Sequence, residues 1–302
     1  MKVDMIVRDL EYGIGTHTQN LVNSLIKLGV EVDIIQGHGN LRTSLKVPSR
    51  GADIVHIQGS PFNIIGSDLP TVVTVHTLLK TEMKYSGKYN LKNRIGLFAE
   101  KRTLNNADRI IVVNPCLIYE INNYGYSYKI ERSSIHTIPN GVNFEEFDGR
   151  SLDRDNFFMA AGRKIGRKDF ATFREACKLA NAPYAEFHNV SRKKLIEGFK
   201  TAKAFVCSSL YETGPITILE AMAARCPIIC TREVADNMIP PRPPGIHYRA
   251  GKVDDLKFAI ERMMSYDNNF LKEMTENAYK MAIPYSWDNI AKETLKVYEE
   301  IV

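Results

Sequence analysis

The stretch MKVDMIVRDLEYGIGTHTQNLVNSLIKLGVEVDII, residues 1–35, decides the fold. Its apolar run at 3–7 predicts a buried strand, and residues 17–28 repeat apolar side chains at helical spacing. A second apolar run at 32–35 predicts another strand. A strand, a helix and a second strand in this order are typical of a parallel α/β sheet.

The first half of the chain continues this alternation. Apolar runs predict further strands, and helical patterns separate them; the strands fall at 54–57, 72–75, 110–113 and 135–138, the helices at 95–105 and 115–123. Because sequential parallel strands are joined by helical crossovers, we predict one doubly wound domain here. A turn at Pro139-Asn140-Gly141 and a loss of periodicity then mark a linker at 138–155.

The second half restarts the pattern. Strands are predicted at 157–161, 184–187, 204–207 and 228–230, with helices at 169–179, 193–201 and 217–224. The tail is helical at 256–264, 270–281 and 290–301, and the proline-rich region after Thr231 is expected to be an irregular, rigid loop.

The predicted fold class is α/β, with two Rossmann-like doubly wound domains facing each other across a cleft. The domains are expected at 1–150 and 151–285, and residues 286–302 are expected to form a helix that packs back toward the N-terminal domain. Ligands of such sheets bind at the carboxyl ends of the strands.

Composition restricts the class of protein. Of 302 residues, 44% are hydrophobic and 25% are charged, which fits a globular chain and not a disordered or fibrous one. Uncharged apolar runs are too short for a membrane span, and Asp4 and Arg8 interrupt the start, where a signal peptide is apolar. Five cysteines without a CxxC pair favour a reduced compartment. We therefore expect a cytoplasmic chain.

The positive charge is concentrated in one stretch. Residues 80–102 contain seven Lys or Arg against two Glu, which equals the net charge of +5 for the whole chain. The sequence lacks a basic stripe interleaved with aromatics, so nucleic acid is not expected as a partner. This stretch predicts peripheral contact with an anionic membrane at the inner face, or a solvated loop.

Glycines follow the first strand. Gly13 and Gly15 allow the backbone to approach a ligand where a helix begins, and the N–H groups there attract anions. Position 18 is Thr, so the third glycine of a dinucleotide-binding fingerprint is missing. A tight turn without a ligand is the alternative.

A basic cluster follows the first strand of the second half. The sequence AGRKIGRK at 161–168 has four cations within six residues, which suits a diphosphate through charge-assisted hydrogen bonds. The alternative is a solvated turn. Further along, Glu212 and Glu220 flank a Gly-Pro turn that opens a helix, where each carboxylate is placed to hold a sugar hydroxyl; two solvated glutamates are the alternative.

These segments together resemble one family, the retaining GT-B glycosyltransferases of family 4, or glycosyl transferases group 1. The matching segments share order and sequence with that family: GIGTHTQNLVNSLIKLGVEVDII at 13–35, TVVTVHTLL at 71–79, GRKIGRK at 162–168, ETGPITILEAMAARCPII at 212–229 and YSWDNIAKETLKVYEEI at 285–301. The resemblance implies an N-terminal acceptor-side domain and a C-terminal domain that binds the nucleotide sugar.

The resemblance also implies site residues. Arg163 and Lys168 are expected to hold the donor diphosphate, Glu220 the ribose, and Glu212 the transferred sugar, while His76 lines the sugar and acceptor side. The further residues expected at the donor are Gly13, Gly15, Gly162, Thr213, Gly214 and Ile216.

The reaction expected from this resemblance is transfer from a UDP- or GDP-linked sugar to a hydroxyl acceptor, which is a glycan, a lipid-linked molecule or a small molecule. No metal and no further cofactor are expected, and Asp153-Arg154-Asp155 is not expected to bind a metal. Retaining glycosidases use two carboxylates about 5 Å apart. No second carboxylate can be placed beside Glu212 from the sequence, and the resemblance implies instead an attack on the same face that the phosphate leaves. A sugar-nucleotide epimerase or a weakened nucleotide-sugar-binding protein is the alternative function.

Overall fold

The computed structural model describes residues 1–8, 10, 12–37, 51–59, 66–87, 89–124, 134–147 and 154–302. Its contacts divide the chain into two units. Unit 1 comprises Met1–Asn140 and Trp287–Val302, and unit 2 comprises Gly141–Ser286. The domain boundary that we predicted at 150/151 lies outside the described residues.

Unit 1 is built on a parallel sheet. Its elements are β1 (Lys2–Val7), α1 (Tyr12–Lys27), β2 (Glu31–Gln36), β3 (Ile54–Gln58), β4 (Thr71–Val75), α2 (Leu79–Ser86), α3 (Leu91–Asn105), β5 (Arg109–Val112), α4 (Cys116–Asn123), β6 (Ile135–Thr137) and α11 (Trp287–Glu299). The described strands lie in the order β2-β1-β3-β4-β5-β6. The central strands β3 and β4 are buried along their whole length, as parallel strands covered on both faces are.

The final helix belongs to the core of unit 1. Leu21 and Leu25 on the buried face of α1 lie in one apolar cluster with Trp287, Ile290 and Tyr298 of α11. The amphipathic spacing of α1 therefore buries its apolar face against α11 as well as the sheet.

Unit 2 is a second parallel sheet. Its elements are β7 (Phe158–Ala161), α5 (Phe170–Leu179), β8 (Tyr184–Phe187), α6 (Arg192–Thr201), β9 (Ala204–Cys207), α7 (Ile216–Ala223), β10 (Ile228–Thr231), α8 (Arg232–Asn237), β11 (Ile246–Tyr248), α9 (Val253–Ser265) and α10 (Asn268–Ala282). The strand order is β11-β10-β9-β7-β8. Successive residues of β7 alternate between two apolar clusters, Phe158 and Ala160 in one and Met159 and Ala161 in the other. Both faces of this sheet are therefore packed.

Each sheet reverses its strand order beside its first strand. In unit 1 this point lies between β1 and β3, and in unit 2 it lies between β7 and β9. Open α/β sheets bind ligands outside the carboxyl ends of the strands at such a point. The predicted class of two Rossmann-like, doubly wound domains is confirmed, and the loops after these strands are where each unit is expected to hold a ligand.

One local prediction was wrong. The region after Thr231 is not an irregular loop throughout, because it contains α8 and the short strand β11, whose Ile246 pairs with Ile229 of β10. The basic stretch, for which a solvated loop was one of the alternatives, is mostly helical, in α2 and α3. Lys88 of that stretch lies outside the described residues.

Two further features concern the cysteines and the apolar character of the helices. All five cysteines are described, and each is a free thiol. Of the helices in the described ranges, none combines the length and the apolar character that crossing a bilayer requires.

Candidate functional site

In the loop after β7, the side chain of Lys168 lies directly beside the backbone of Gly162. Gly162 has φ 138°, in the left-handed region, and a Cβ there would lie 3.3 Å from Cε and 3.5 Å from Nζ of Lys168. A glycine at position 162 therefore avoids backbone strain, and the absence of a Cβ leaves room for the side chain of Lys168. The carbonyl of Gly162 accepts a hydrogen bond of 2.7 Å from Nδ1 of His188.

Glu212 is the centre of a buried ionic cluster. Its Oε1 lies 2.7 Å from Nζ of Lys168, and its Oε2 lies 2.8 Å from Nη1 of Arg167. The hydroxyl of Ser209 donates a third bond to Oε1 at 2.8 Å. One carboxylate therefore holds two cations, so the cluster keeps a net positive charge.

The ionic cluster determines the protonation of Glu212. Burial favours the neutral acid, but the charges of Lys168 and Arg167 outweigh burial and lower the pKa of Glu212 from 4.5 to about 2. Glu212 is therefore a carboxylate at neutral pH and accepts hydrogen bonds without donating them.

Backbone contacts fix the loops after β7 and β9 to each other. The N–H of Leu210 donates to the carbonyl of Arg167 at 2.7 Å, and the hydroxyl of Ser208 donates to the carbonyl of Lys168 at 2.7 Å. Nη1 of Arg167 also donates to the carbonyl of Tyr211 at 3.1 Å. The cations and the carboxylate are consequently held in place before any ligand arrives.

The remaining donor-site candidates of unit 2 lie on the same two loops. Arg163 is exposed directly after Gly162, and Thr213 is buried. Gly214 and Ile216 are half-buried, and Ile216 is the first residue of α7. The first N–H groups of a helix have no intrahelical acceptor, so this end of α7 carries partial positive charge.

Glu220 lies in a second ionic cluster. The residue is 2% exposed, and its Oε1 accepts a hydrogen bond from Nη1 of Arg192, the first residue of α6. The same guanidinium binds Glu146 through Nη2 and Nε. Burial raises the pKa of Glu220, and the charge of Arg192 opposes that increase.

In unit 1, His76 follows β4 and belongs to a chain of hydrogen bonds. Its Nε2 donates to Oε1 of Gln58 at 3.0 Å, and the amide of Gln58 approaches Nε2 of His56 at 3.3 Å. The other ring nitrogen of His56 bonds the hydroxyl of Tyr298. The ring of His17 lies edge-on to His76, with 4.5 Å between centroids.

These histidines are neutral at pH 7. Burial lowers the pKa of His17 from 6.5 to about 4 and that of His56 to about 3. Burial likewise holds the pKa of His76 well below its usual value. The imidazole of His76 therefore offers hydrogen bonds and not charge.

The two glycines of α1 differ in their surroundings. A Cβ on Gly15 would lie 2.0 Å from the carbonyl oxygen of Leu10, which leaves no room for a side chain. A Cβ on Gly13 meets nothing within 4 Å in the described structure. Close backbone approach therefore requires glycine at position 15, and no such contact requires it at position 13.

The structure brings some predicted site residues together and leaves others apart. Gly162, Lys168 and Glu212 form one cluster, whereas Glu220 belongs to the cluster of Arg192. The predicted candidates Gly13, Gly15 and His76 belong to unit 1.

Sequence reasoning missed several residues of these clusters, namely Glu146, Arg192, His17 and Gln58. Arg167 was expected as one of the four cations at 161–168, but its ion pair with Glu212 was not. Arg192 and Glu146 are distant in sequence from Glu220, and no local pattern marks them.

Arg154, the central residue of the Asp-Arg-Asp sequence, binds backbone carbonyls of unit 2. Its guanidinium donates to the carbonyls of Phe199, Ala202, Ala224 and Arg225, at 2.6 to 3.2 Å. Asp153 lies outside the described residues. Within the described part of the chain, no three His, Cys, Asp or Glu side chains converge as metal ligands.

Two sequence families match the chain, one in each half. Glycosyl transferases group 1 matches residues 149–281, and Glycosyltransferase Family 4 matches residues 40–146. An uncharacterized glycosyltransferase of Methanocaldococcus jannaschii is 38% identical over 107 residues, which are 33% of this chain and 26% of that relative. The match thus spans about a quarter of the curated relative's length.

Solved structures of similar fold cover nearly the whole chain. Sucrose-phosphate synthase from Thermosynechococcus elongatus has a TM-score of 0.78 at 16% identity, covering 99% of this chain and 98% of its own. A glycosyltransferase from Rickettsia africae has a TM-score of 0.73 at 17% identity, covering 99% and 98%. Anabaena HepE in complex with UDP and glucose has a TM-score of 0.73 at 12% identity, covering 99% and 100%. The predicted GT-B fold is confirmed.

Proposed function

We propose that this chain, whose two halves match the models of glycosyl transferases group 1 and Glycosyltransferase Family 4, transfers a sugar from a nucleoside diphosphate sugar to a hydroxyl acceptor without a metal ion. The observation that supports this most is the cation excess around Glu212, at the point where the strand order of unit 2 reverses. A diphosphate is the ligand class that such an excess suits. HepE, with a similar fold, binds UDP and glucose, which favours a UDP-linked donor.

The donor diphosphate is proposed to lie against the loop after β7. Lys168 and Arg163 contribute positive charge there, and the first N–H groups of α7 add partial positive charge. Charges fixed in advance stabilise the departing phosphate without reorganisation at the moment of reaction. In this proposal these charges do the work of a divalent ion.

Glu212 is proposed to position the transferred sugar. With a pKa of about 2 it is a weak base at neutral pH, so it is poorly suited to take the proton of the acceptor. Its oxygens accept hydrogen bonds from sugar hydroxyls instead. His76, a neutral imidazole, is proposed to contact the sugar or the acceptor in the same uncharged way.

The transfer is proposed to retain the anomeric configuration. The bond from the anomeric carbon to the phosphate oxygen breaks, and a bond to the acceptor oxygen forms on the same face. The acceptor proton passes to the departing phosphate oxygen, and the products are a glycoside and a nucleoside diphosphate. An inverted anomeric centre in the product, read from its proton coupling constants, would contradict this step.

The experiment for the function is a calorimetric titration of the chain with UDP-, GDP- and ADP-linked hexoses. We expect one nucleoside class to bind, followed by transfer to an added acceptor. Failure of every nucleotide sugar to bind contradicts the proposal. Epimerisation of the donor without an acceptor supports the alternative function.

The acceptor side is proposed to rest on an anionic membrane at the cytoplasmic face, so that a lipid-linked hydroxyl is the acceptor. Leu91, Ile95 and Phe98 of α3 are 62–71% exposed, and their spacing places them on one helix face. Exposed Lys92 and Arg94 lie on the same helix, and each cation near an anionic surface contributes about 1 kcal/mol.

Flotation with anionic liposomes tests the membrane contact. We expect binding at low salt that weakens at high salt, and loss of binding in the double variant Ile95→Ser, Phe98→Ser. Phe258→Ser in unit 2 is the matched control, because Phe258 is 70% exposed on α9. Absence of binding at low salt, or equal loss in the control, contradicts this part of the proposal.

A further inference from the structure

Arg192 joins three separate parts of unit 2. Its guanidinium binds Glu220 of α7 on one side and Glu146 on the other, and Glu146 lies in the single helical turn Glu145–Phe147. The guanidinium carbon also lies 5.6 Å from the ring centroid of Phe147. Cation–π contact and two carboxylates together restrict the plane of this guanidinium.

The charges of this cluster do not cancel. Two carboxylates share one guanidinium, and Glu220 is almost completely buried. A buried carboxylate without a cation takes up a proton, because burial penalises the charged form. The ionised form of Glu220 thus depends on Arg192, and this form accepts hydrogen bonds from hydroxyl groups.

The contact also selects one oxygen of Glu220. Arg192 binds Oε1, and within the described residues Oε2 has no hydrogen-bond partner. Glu220 lies four residues beyond Ile216, the start of α7, which is about 6 Å along the helix axis. That separation suits a ribose joined to a diphosphate at the start of the helix.

We infer that Arg192 is a positioning residue for ribose recognition; this inference rests on the proposed function. It favours the ionised form of Glu220 and fixes the orientation of the carboxylate, so that Oε2 accepts hydrogen bonds from the vicinal 2′ and 3′ hydroxyls of the donor nucleoside. The site is therefore expected to bind a ribonucleoside diphosphate more tightly than the 2′-deoxy analogue of the same nucleotide. Glu146 restrains the guanidinium and is not itself a ligand for the ribose.

The test compares the affinities of UDP, GDP and their 2′-deoxy analogues by calorimetry. In the unaltered chain we expect the ribonucleotide to bind roughly tenfold to hundredfold more tightly, the value of one hydrogen bond to a charged group. In Arg192→Met we expect this preference to disappear. In Arg192→Lys, which keeps a cation, we expect partial recovery of the preference.

A second variant keeps the inference falsifiable if Arg192→Met does not fold. In Glu146→Gln the guanidinium still pairs with Glu220, and the amide oxygen still accepts one hydrogen bond from the guanidinium, so the preference for ribose is expected to remain. Loss of the preference in this variant contradicts the inference.

Two outcomes separate this inference from the proposed function. If Arg192→Met weakens ribo- and deoxynucleotides equally, the bridge is structural and the inference is wrong, while the proposed function stands. If the unaltered chain binds none of the nucleotides, both are wrong.

Discussion

The hydrogen-bonding network around His76 in unit 1 and the ionic cluster around Glu212 in unit 2 differ in charge. The network of unit 1 contains the neutral imidazoles of His17, His56 and His76. In unit 2, the corresponding side chains are carboxylates held by cations, Glu212 by Lys168 and Arg167. The same kind of sheet thus supports an uncharged hydrogen-bonding network in one unit and an ionic network in the other.

This difference in charge matches the chemical difference between the proposed donor and the proposed acceptor. A nucleoside diphosphate carries negative charge and suits a net positive cluster, whereas an acceptor hydroxyl carries none and suits neutral donors and acceptors. The comparison therefore supports the proposal that unit 2 binds the donor and unit 1 contacts the acceptor. It also predicts different sensitivities to substitution and to acid.

The largest expected effect is that of Lys168→Ala. Removing one fixed group that stabilises developing charge typically lowers kcat by about 10²- to 10³-fold. We expect a decrease of this size in kcat/KM for the donor identified by titration, measured by steady-state kinetics.

The matched control for this substitution is Lys178→Ala, because Lys178 is exposed on α5 of the same unit and outside the basic cluster at 161–168. A small change is expected there. Equal losses in both variants would indicate a nonspecific charge effect and would contradict the role given to Lys168.

Acid is expected to destabilise the histidine network of unit 1 before it disrupts the Glu212 cluster of unit 2. The folded-state pKa of His17 is lowered from 6.5 to about 4, so its stabilising contribution is complete above pH 6.5 and is lost as pH falls to about 4. The loss is about 3 kcal/mol at the acid end. For Glu212 the corresponding window runs from pH 4.5 down to about 2.

The fluorescence of the single tryptophan, Trp287, reports the acid destabilisation of unit 1, because this residue lies in the core of that unit. Urea unfolding followed by its fluorescence is expected to show a midpoint that decreases from pH 7 to pH 4.5. A constant midpoint over that range contradicts the view that unit 1 depends on neutral histidines.

A smaller effect is expected from alanine at the two glycines of α1. Gly15→Ala forces a Cβ against the Leu10 backbone and is expected to lower the free energy of unfolding by about 1–3 kcal/mol. Gly13→Ala meets no neighbour and gains helix propensity, so it is expected to be neutral or stabilising by up to about 1 kcal/mol. Thermal unfolding compares them, and equal losses would contradict the steric argument.

Local patterns in the sequence predicted most of the sheet. The strands at 184–187 and 204–207 are found with the predicted bounds, because short, mostly apolar runs are read directly from the residues. The helix α2 was not predicted, since Ser86-Gly87 weakens a helical pattern. In the structure Gly87 is the residue that ends that helix, with φ 66°.

The ionic clusters were predicted only in part. Lys168 and Glu212 belong to recognisable motifs, whereas Arg192 lies 28 positions before Glu220 and 46 after Glu146. Their contact depends on how α6 and α7 pack in unit 2, which residue spacing does not encode. The strand β11 was missed for the same reason, because three residues form a strand there only through pairing with β10.

Hydrogen exchange with mass spectrometry, with and without saturating UDP or GDP, tests the donor site of unit 2 most directly. The account predicts slower exchange in peptides that cover 162–170 and 208–220, and less protection there in Lys168→Ala. Unchanged exchange in these peptides, with protection confined to 12–27 and 71–79 of unit 1, would contradict it.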